Sequence, residues 1–379
     1  MAIVMYVADG YGGYGDFIFG LKMLHGLQKS LQELGSNTPI YLVTQASGKD
    51  KIVALGGDTA FDVQVKSVEE FKHLQSTAEF TLEYFIEGPV FNPYTHQRIT
   101  IPKDTPVLLI SEYSLIPRVL RYTKELLENP VRWQLDLIQS GFNVDGGVSS
   151  DFFDKIGQGL FFNEELSHLA ERPSDNFDYR VQYWAQLEGD SEKILTGQAI
   201  EDYHRNTDLF FEYSHDSAGK LGIYQKSHCK HYLQIHQIFT MRSGKNQDIV
   251  SVGNNTDAKK NALTALLPTL KADGYNRIVY IDLESGNETI FHDQPQLQQK
   301  VYRFLHTKKL TYKKMIAMLA LSGDLVGATG DQSFGEAISG QKLIVYECLS
   351  HKKLFAEEYI KIFRSLDTHD KASQLVKLL

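Results

Sequence analysis

The chain has 379 residues and a formal net charge of −8, and 42% of its residues are hydrophobic. That length exceeds the roughly 250–300 residues at which a single core stops growing, so two domains are expected. An acidic chain without a basic tract is a poor general binder of nucleic acid, because neutralising phosphate takes clustered Lys and Arg.

The first strand is expected over Ile3–Ala8, followed by the turn Asp9-Gly-Tyr-Gly-Gly-Tyr-Gly15 and a helix from Asp16 to Leu34. Phe17, Leu21, Leu24, Leu27, Leu31 and Leu34 recur at helical spacing, and Gly35 is a fitting stop. Ile40–Thr44 reads as the next strand and Val107–Ser111 as a later one, with hairpins expected between Phe80 and Ile101. Strand–helix–strand order is the unit of a parallel sheet covered by helices. Helices are expected near Phe152 and over Tyr179–Leu187. The second α/β half begins with a strand at Asp248–Val252, the turn Gly253-Asn-Asn255, and a helix capped by Thr256 or Asp257 that runs to Lys271. Strands Ile278–Leu283, Leu325–Ala328 and Leu343–Cys348 alternate with helices Tyr312–Leu321, Ser333–Ser339 and His351–Arg364.

This order predicts the α/β class, with two Rossmann-like domains facing a central cleft. The expected domains are a first Rossmann-like domain over 1–170, a linker and the start of the second domain over 171–245, a second Rossmann-like domain over 246–350, and a C-terminal helix over 351–379 packing back on the first domain.

Two cysteines, Cys229 and Cys348, are too few for a disulfide framework. The start of the chain lacks a basic region followed by an apolar core, and no stretch nears the roughly 20 apolar residues of a membrane span. A cytoplasmic protein is the expectation.

The first turn carries Gly10, Gly12, Gly13 and Gly15. Glycine lets a ligand approach the backbone, and the ligand crevice of an open α/β sheet lies at the carboxyl ends of its strands. The spacing matches neither the dinucleotide fingerprint nor a Walker A loop. Two carboxylates flank the turn, Asp9 and Asp16. Asp16 serves either as a helix cap or as a general base projecting from the turn, and Asp9 is the other candidate base. Gly12-Gly-Tyr-Gly-Asp-Phe-Ile18 resembles the Gly-Gly-x-Gly-Asp-hydrophobic start of heptosyltransferases, which are inverting glycosyltransferases with two Rossmann-like domains (GT-B). The resemblance implies that Asp16 is the catalytic base. Protein-arginine rhamnosyltransferases start with a similar Gly-Asp turn, with shorter spacing between their two acids.

The second turn lies in Leu325-Val-Gly-Ala-Thr-Gly-Asp-Gln-Ser-Phe-Gly-Glu-Ala-Ile-Ser-Gly340. Free N–H groups at the helix start suit a diphosphate, Ser333 adds a hydroxyl that also caps, and Glu336 lies one turn in, toward a ribose. The segment resembles the donor end of the same glycosyltransferase families. Thr329-Gly330 fits the heptosyltransferase pattern, and Gly340-Gln-Lys342 replaces its Gly-Lys-Pro. Gly330-Asp-Gln-Ser-Phe334 keeps the frame of the rhamnosyltransferase Gly-Glu-Asp-Ser-Phe but changes both acids, so Asp331 inherits one acidic role. The resemblance implies donor binding by Gly13, Gly15, Thr329, Gly330, Ser333, Phe334, Gly335 and Glu336. The alternative is that Gly335 and Gly340 serve helix–sheet packing and Ser333 only caps.

His228-Cys229-x-His231, with His215 and His236, matches no common zinc spacing. No Asp-x-Asp pair stands out for a metal-bridged diphosphate. The expected activity is therefore metal-independent, inverting transfer from a nucleotide-sugar to a glycan, lipid or protein side chain, with no cofactor. A sugar-nucleotide epimerase or hydrolase on the same architecture, or a non-catalytic binding protein, are the alternatives.

Overall fold

The computed structural model describes residues 1–9, 14–77, 80–87, 99, 105, 107–109, 163–170, 177–213, 232–233, 235–240, 244–294 and 299–346. The chain divides into two compact units, Met1–Phe161 and Phe162–Leu379.

The first unit holds β1 (Ala2–Tyr6), α1 (Gly15–Glu33), β2 (Ile40–Thr44), α2 (Ala46–Ala54), α3 (Gly57–Phe61), β3 (Gln64–Ser67), α4 (Val68–Gln75), β4 (Leu82–Glu87) and β5 (Val107–Leu109). Its strands pair in parallel in the order β3-β2-β1-β4-β5. Every residue of β1 is buried, as expected of a central parallel strand covered on both faces. Val4, Tyr6, Val43, Val68, Phe71, Leu82 and Phe85 form a core cluster. Helix α1 buries only its first half, Phe17 to Leu24, while Leu34 at the end of the apolar stripe is 82% exposed. Gly35 follows with φ +75°, a left-handed conformation that glycine adopts without penalty and that stops the helix. A capping box between Ser67 and Glu70 starts α4. Of the segment expected to carry hairpins, the described part supplies β4, a parallel strand beside β1, and residues 88–98 lie outside the described residues.

The second unit holds α5 (Glu164–Ala170), α6 (Phe177–Gln186), α7 (Gly189–Leu195), α8 (Ile200–Asn206), β6 (Thr207–Tyr213), β7 (Asn246–Val252), α9 (Thr256–Ala272), β8 (Arg277–Asp282), β9 (Glu288–Asp293), β10 (Val301–Thr307), α10 (Tyr312–Leu321), β11 (Leu325–Ala328), α11 (Asp331–Ser339) and β12 (Leu343–Tyr346). The sheet order is β12-β11-β6-β7-β10-β8-β9, and β9 is an antiparallel edge. One sheet face carries Phe210, Ile249, Ile278, Tyr302 and Phe304, packed with Leu263 and Leu266 of α9 and with Ile235, Ile238 and Phe239 of the helical residues 235–240. Residues two apart along a strand share a face, so Asp248 and Arg303 lie on the other one. There Arg303 Nε donates to Asp248 Oδ1 (2.7 Å), Tyr203 Oη donates to Asp248 Oδ2 (2.6 Å), and Arg303 Nη2 reaches the Ile194 carbonyl (2.7 Å). The buried ion pair thus ties α7 and α8 to the sheet.

Two α/β units with parallel sheets are what the order of elements predicted. The division falls at 161/162 rather than at 170/171. The segment expected as a linker and the start of the second domain supplies α6–α8 and β6, and β6 sits inside the second sheet between β11 and β7. The C-terminal helix expected over 351–379 and the helix near Phe152 lie outside the described residues.

Candidate functional site

In an open α/β sheet a crevice opens where two neighbouring strands send the chain to opposite sides. In the first sheet β1 lies between β2 and β4, and in the second β6 lies between β7 and β11. The glycine-rich turn follows β1, and the Thr329-Gly330 turn follows β11. Both turns therefore stand at the carboxyl end of a switch point within their own unit.

At the first turn, Asp16 is half-buried in the opening turn of α1. The N-cap residue Tyr14 makes no side-chain capping bond, so the positive helix end faces Asp16 without a competing cap. Among the described residues a Cβ added at Gly15 would meet nothing within 4 Å, so there the glycine relieves no contact with them. Further along, Gly20 and Gly48 do relieve contacts. A Cβ at Gly20 would lie 2.7 Å from Val7 Cγ2, and one at Gly48 would lie 2.9 Å from the Phe17 ring. Asp9 differs from its expected role as an uncommitted base. Its Oδ1 accepts from Lys51 Nζ (2.6 Å) and its Oδ2 from Ser47 Oγ (2.6 Å). Burial pushes its pKa up, but the bonds from Lys51 and Ser47 and the Lys51 charge outweigh it and hold the carboxyl below its ordinary value. Gly10, Gly12 and Gly13 lie outside the described residues.

At the second turn, Gly330 is the N-cap of α11, and the first helical bond runs from Phe334 N–H to the Gly330 carbonyl (2.9 Å). The N–H groups ahead of it point out of the helix end. Ser333 Oγ donates to Gly330 O (2.8 Å) and accepts from Gly330 N–H (3.2 Å), so its hydroxyl proton is spent on capping. Thr329 is 2% exposed, and its Oγ1 has no hydrogen-bond partner among the described residues. Two expected ligand contacts turn inward instead. Phe334 is fully buried, edge-on to Tyr346. Glu336 is fully buried and interacts with the Tyr312 hydroxyl, which also accepts from Asn163 Nδ2 (3.2 Å). Helix periodicity places residues 334 and 336–337 on the core side, so their side chains brace α11. Gly335 is buried, and its carbonyl accepts from Ser339 Oγ (2.8 Å). The side chain of Asp331 lies outside the described residues. Lys342, the last residue of Gly340-Gln-Lys342, sits before β12 and donates to the carbonyls of Ser322 (2.9 Å) and Gly323 (3.2 Å) after α10. Burial pushes its pKa down to about 8, with Arg180 adding and Asp324 opposing.

The sequence reading missed a polar row across the second sheet. Gly327, Glu212, Ser251, His306 and Asp282 are successive register partners on β11, β6, β7, β10 and β8. Glu212 is 2% exposed, and its Oε1 accepts from Tyr232 Oη (2.6 Å) and Ser251 Oγ (2.6 Å). His306 Nε2 bonds the Gly253 carbonyl (2.6 Å), which can only accept, so that nitrogen carries a proton, and in the neutral ring Nδ1 accepts from Tyr280 Oη (2.7 Å). The turn after β7 is thereby fixed, and Asn255, rather than Thr256 or Asp257, caps α9 through Ala258 N–H (3.0 Å). The signal in the sequence was a polar residue near the end of the apolar strands β6, β7, β10 and β8.

Among the described residues no group of three His, Cys, Asp or Glu could hold a metal. His236 is buried between Gln247 Oε1 (2.9 Å) and Asp273 Oδ2 (2.7 Å). His215, Cys229 and His231 lie outside the described residues. No helix among the described residues is long and apolar enough to cross a membrane.

No family model and no curated protein matches the chain. Similar solved structures include a glycosyl transferase of family 9 from Veillonella parvula, at 11% identity over 99% of this chain and 96% of that one, with a TM-score of 0.40. A UDP-GlcNAc 2-epimerase from Neisseria meningitidis bound to UDP-GlcNAc matches at 11% identity over 98% and 93%, TM-score 0.45. A heptosyltransferase from E. coli with ADP matches at 8% identity over 91% and 86%, TM-score 0.36.

Proposed function

We propose that this chain is a glycosyltransferase that takes a sugar from a nucleotide-diphosphate donor. The observation that carries the reading is the Thr329–Gly330 turn at the β6/β11 switch point. It combines outward N–H groups at the start of a nine-residue helix with a buried threonine hydroxyl that has no partner among the described residues. Such donors suit a diphosphate, whose charge the helix end also favours. The backbone at Thr329, Gly330 and Ser333 would hold the donor, while Phe334, Gly335 and Glu336 brace the helix beneath it.

Asp16, in the first turn of α1, would take the acceptor proton. Backbone donors at α11 would stabilise the departing diphosphate. Direct displacement with Asp16 as base gives inversion at the sugar, and needs no metal or cofactor. The acceptor is a hydroxyl or other weak nucleophile of a glycan, lipid or protein side chain.

A thermal-shift screen against UDP-, ADP-, GDP- and dTDP-sugars, followed by product analysis with the best hit, tests the reading. The expected result is a stabilising sugar nucleotide and transfer that Asp16→Ala abolishes while the thermal shift is kept. Rearranged or free sugar formed without any acceptor would make the protein an epimerase or hydrolase instead. A chain that no nucleotide or sugar nucleotide stabilises would not be a donor-binding protein at all.

A further inference from the structure

The segment leading to Asp16 leaves β1 at a residue that is fastened on three sides. Asp9 N–H donates to Gln45 Oε1 (2.6 Å), and its two carboxylate oxygens accept from Ser47 and Lys51. Gln45 is itself held, accepting from Thr44 Oγ1 (3.1 Å) and donating to Tyr6 Oη (3.1 Å). These partners come from the ends of β1 and β2 and from α2. On the far side of the turn, α1 is fixed against the same elements. Gly20 lets it lie on the chain leaving β1 at Val7, and Phe17 packs at Gly48 of α2. Ser47 and Lys51 flank Gly48 on α2, and Phe17, which packs there, is the neighbour of Asp16, so the Asp9 contacts and the place of Asp16 share one support.

We propose that Asp9 is a positioning residue that, paired with Lys51, holds α2 against the start of α1 and so fixes where the Asp16 carboxylate stands. The proposal rests on Asp16 being the base. It removes Asp9 from the proton transfer itself: a carboxylate bonded to a lysine and a serine is held ionised and turned toward α2. The Lys49–Glu70 pair, equally short at 2.6 Å, links α2 to α4 away from this segment and is the natural control.

The test uses the full chain with labelled aspartate. The Asp16 carboxyl is titrated by carbon NMR, and exchange of the Ile18 amide, which bonds Tyr14 O (3.1 Å), is followed alongside. Asp9→Asn, Lys51→Met and the double variant should displace the Asp16 midpoint equally and speed Ile18 exchange by roughly fivefold, without adding to one another. Lys51→Arg, which keeps the charge, should behave as the native chain, and so should Glu70→Gln. Unchanged Asp16 titration in Asp9→Asn and Lys51→Met would overturn the proposal. So would additive effects in the double variant, or a Lys51→Arg chain that behaves like Lys51→Met. Neither readout requires sugar transfer, so failure here is distinct from failure of Asp16→Ala to abolish it.

Discussion

Gly327 on β11 faces Glu212 on β6 across their parallel pair, and a Cβ at residue 327 would lie 2.5 Å from the Cβ of Glu212. The closest atom belongs to the backbone-proximal part of Glu212, which cannot swing away. Gly327→Ala should therefore cost about 1–3 kcal/mol despite the better strand propensity of alanine. Urea unfolding measures it, and an unchanged midpoint would mean that β11 gives way freely.

Asp248 and Arg303 are buried on the face under α7 and α8, with side-chain exposures of 1% and 9%. Removing one charge strands the other. Arg303→Met should cost about 3–5 kcal/mol, and the double variant Asp248→Leu with Arg303→Met should cost less than Arg303→Met alone. A double-mutant cycle by chemical denaturation decides this.

Thr329→Val keeps the shape of the side chain and removes a buried hydroxyl that lacks a partner among the described residues. The ligand-free protein should be as stable as the native one or slightly more so. The thermal shift produced by the best sugar nucleotide should fall, by an amount corresponding to about 1–2 kcal/mol of binding. An undiminished shift would remove Thr329 from the donor site.

His204 Nε2 accepts from Trp184 Nε1 (3.0 Å). Burial pushes its pKa down to about 4 from 6.5, with the charges of Arg180 and Lys245 adding. Above pH 6.5 both folded and unfolded forms are neutral, and the residue contributes no pH dependence. Below it the unfolded chain binds a proton that the folded chain refuses until about pH 4. Stability should fall through that window by at most about 3 kcal/mol. His204→Gln keeps an acceptor for Trp184 and should lose that part of the slope, which unfolding at a series of pH values would show.

The α/β alternation was legible because strands buried on both faces are short apolar runs, as at β1 and β2, and α1 carries a helical stripe ended by Gly35. The middle of the chain was not. Strand β6 is as apolar as its neighbours, but the alternation of strand and helix around it was not readable, so it fell within the stretch expected as a linker and the start of the second domain. Strand β4 was not singled out as a parallel neighbour of β1 because periodicity does not say which strand a segment will pair with. At the site, the two turns were visible from their glycines, while Phe334 and Glu336 were misread because a motif names residues without saying which way a helix faces.

The sequence by itself determined the two-unit α/β class, the two glycine turns and the acids around the first of them, since these follow from local periodicity and from the backbone freedom of glycine. Only the tertiary structure decided what those residues can do. It brought Lys51 and Ser47 onto Asp9, turned Glu336 toward Tyr312, left the Thr329 hydroxyl buried without a partner among the described residues, and aligned Gly327, Glu212, Ser251, His306 and Asp282 in one row. The reason is that parallel neighbours lie far apart in the chain. Their register is set by packing across the whole sheet, and no local pattern records it.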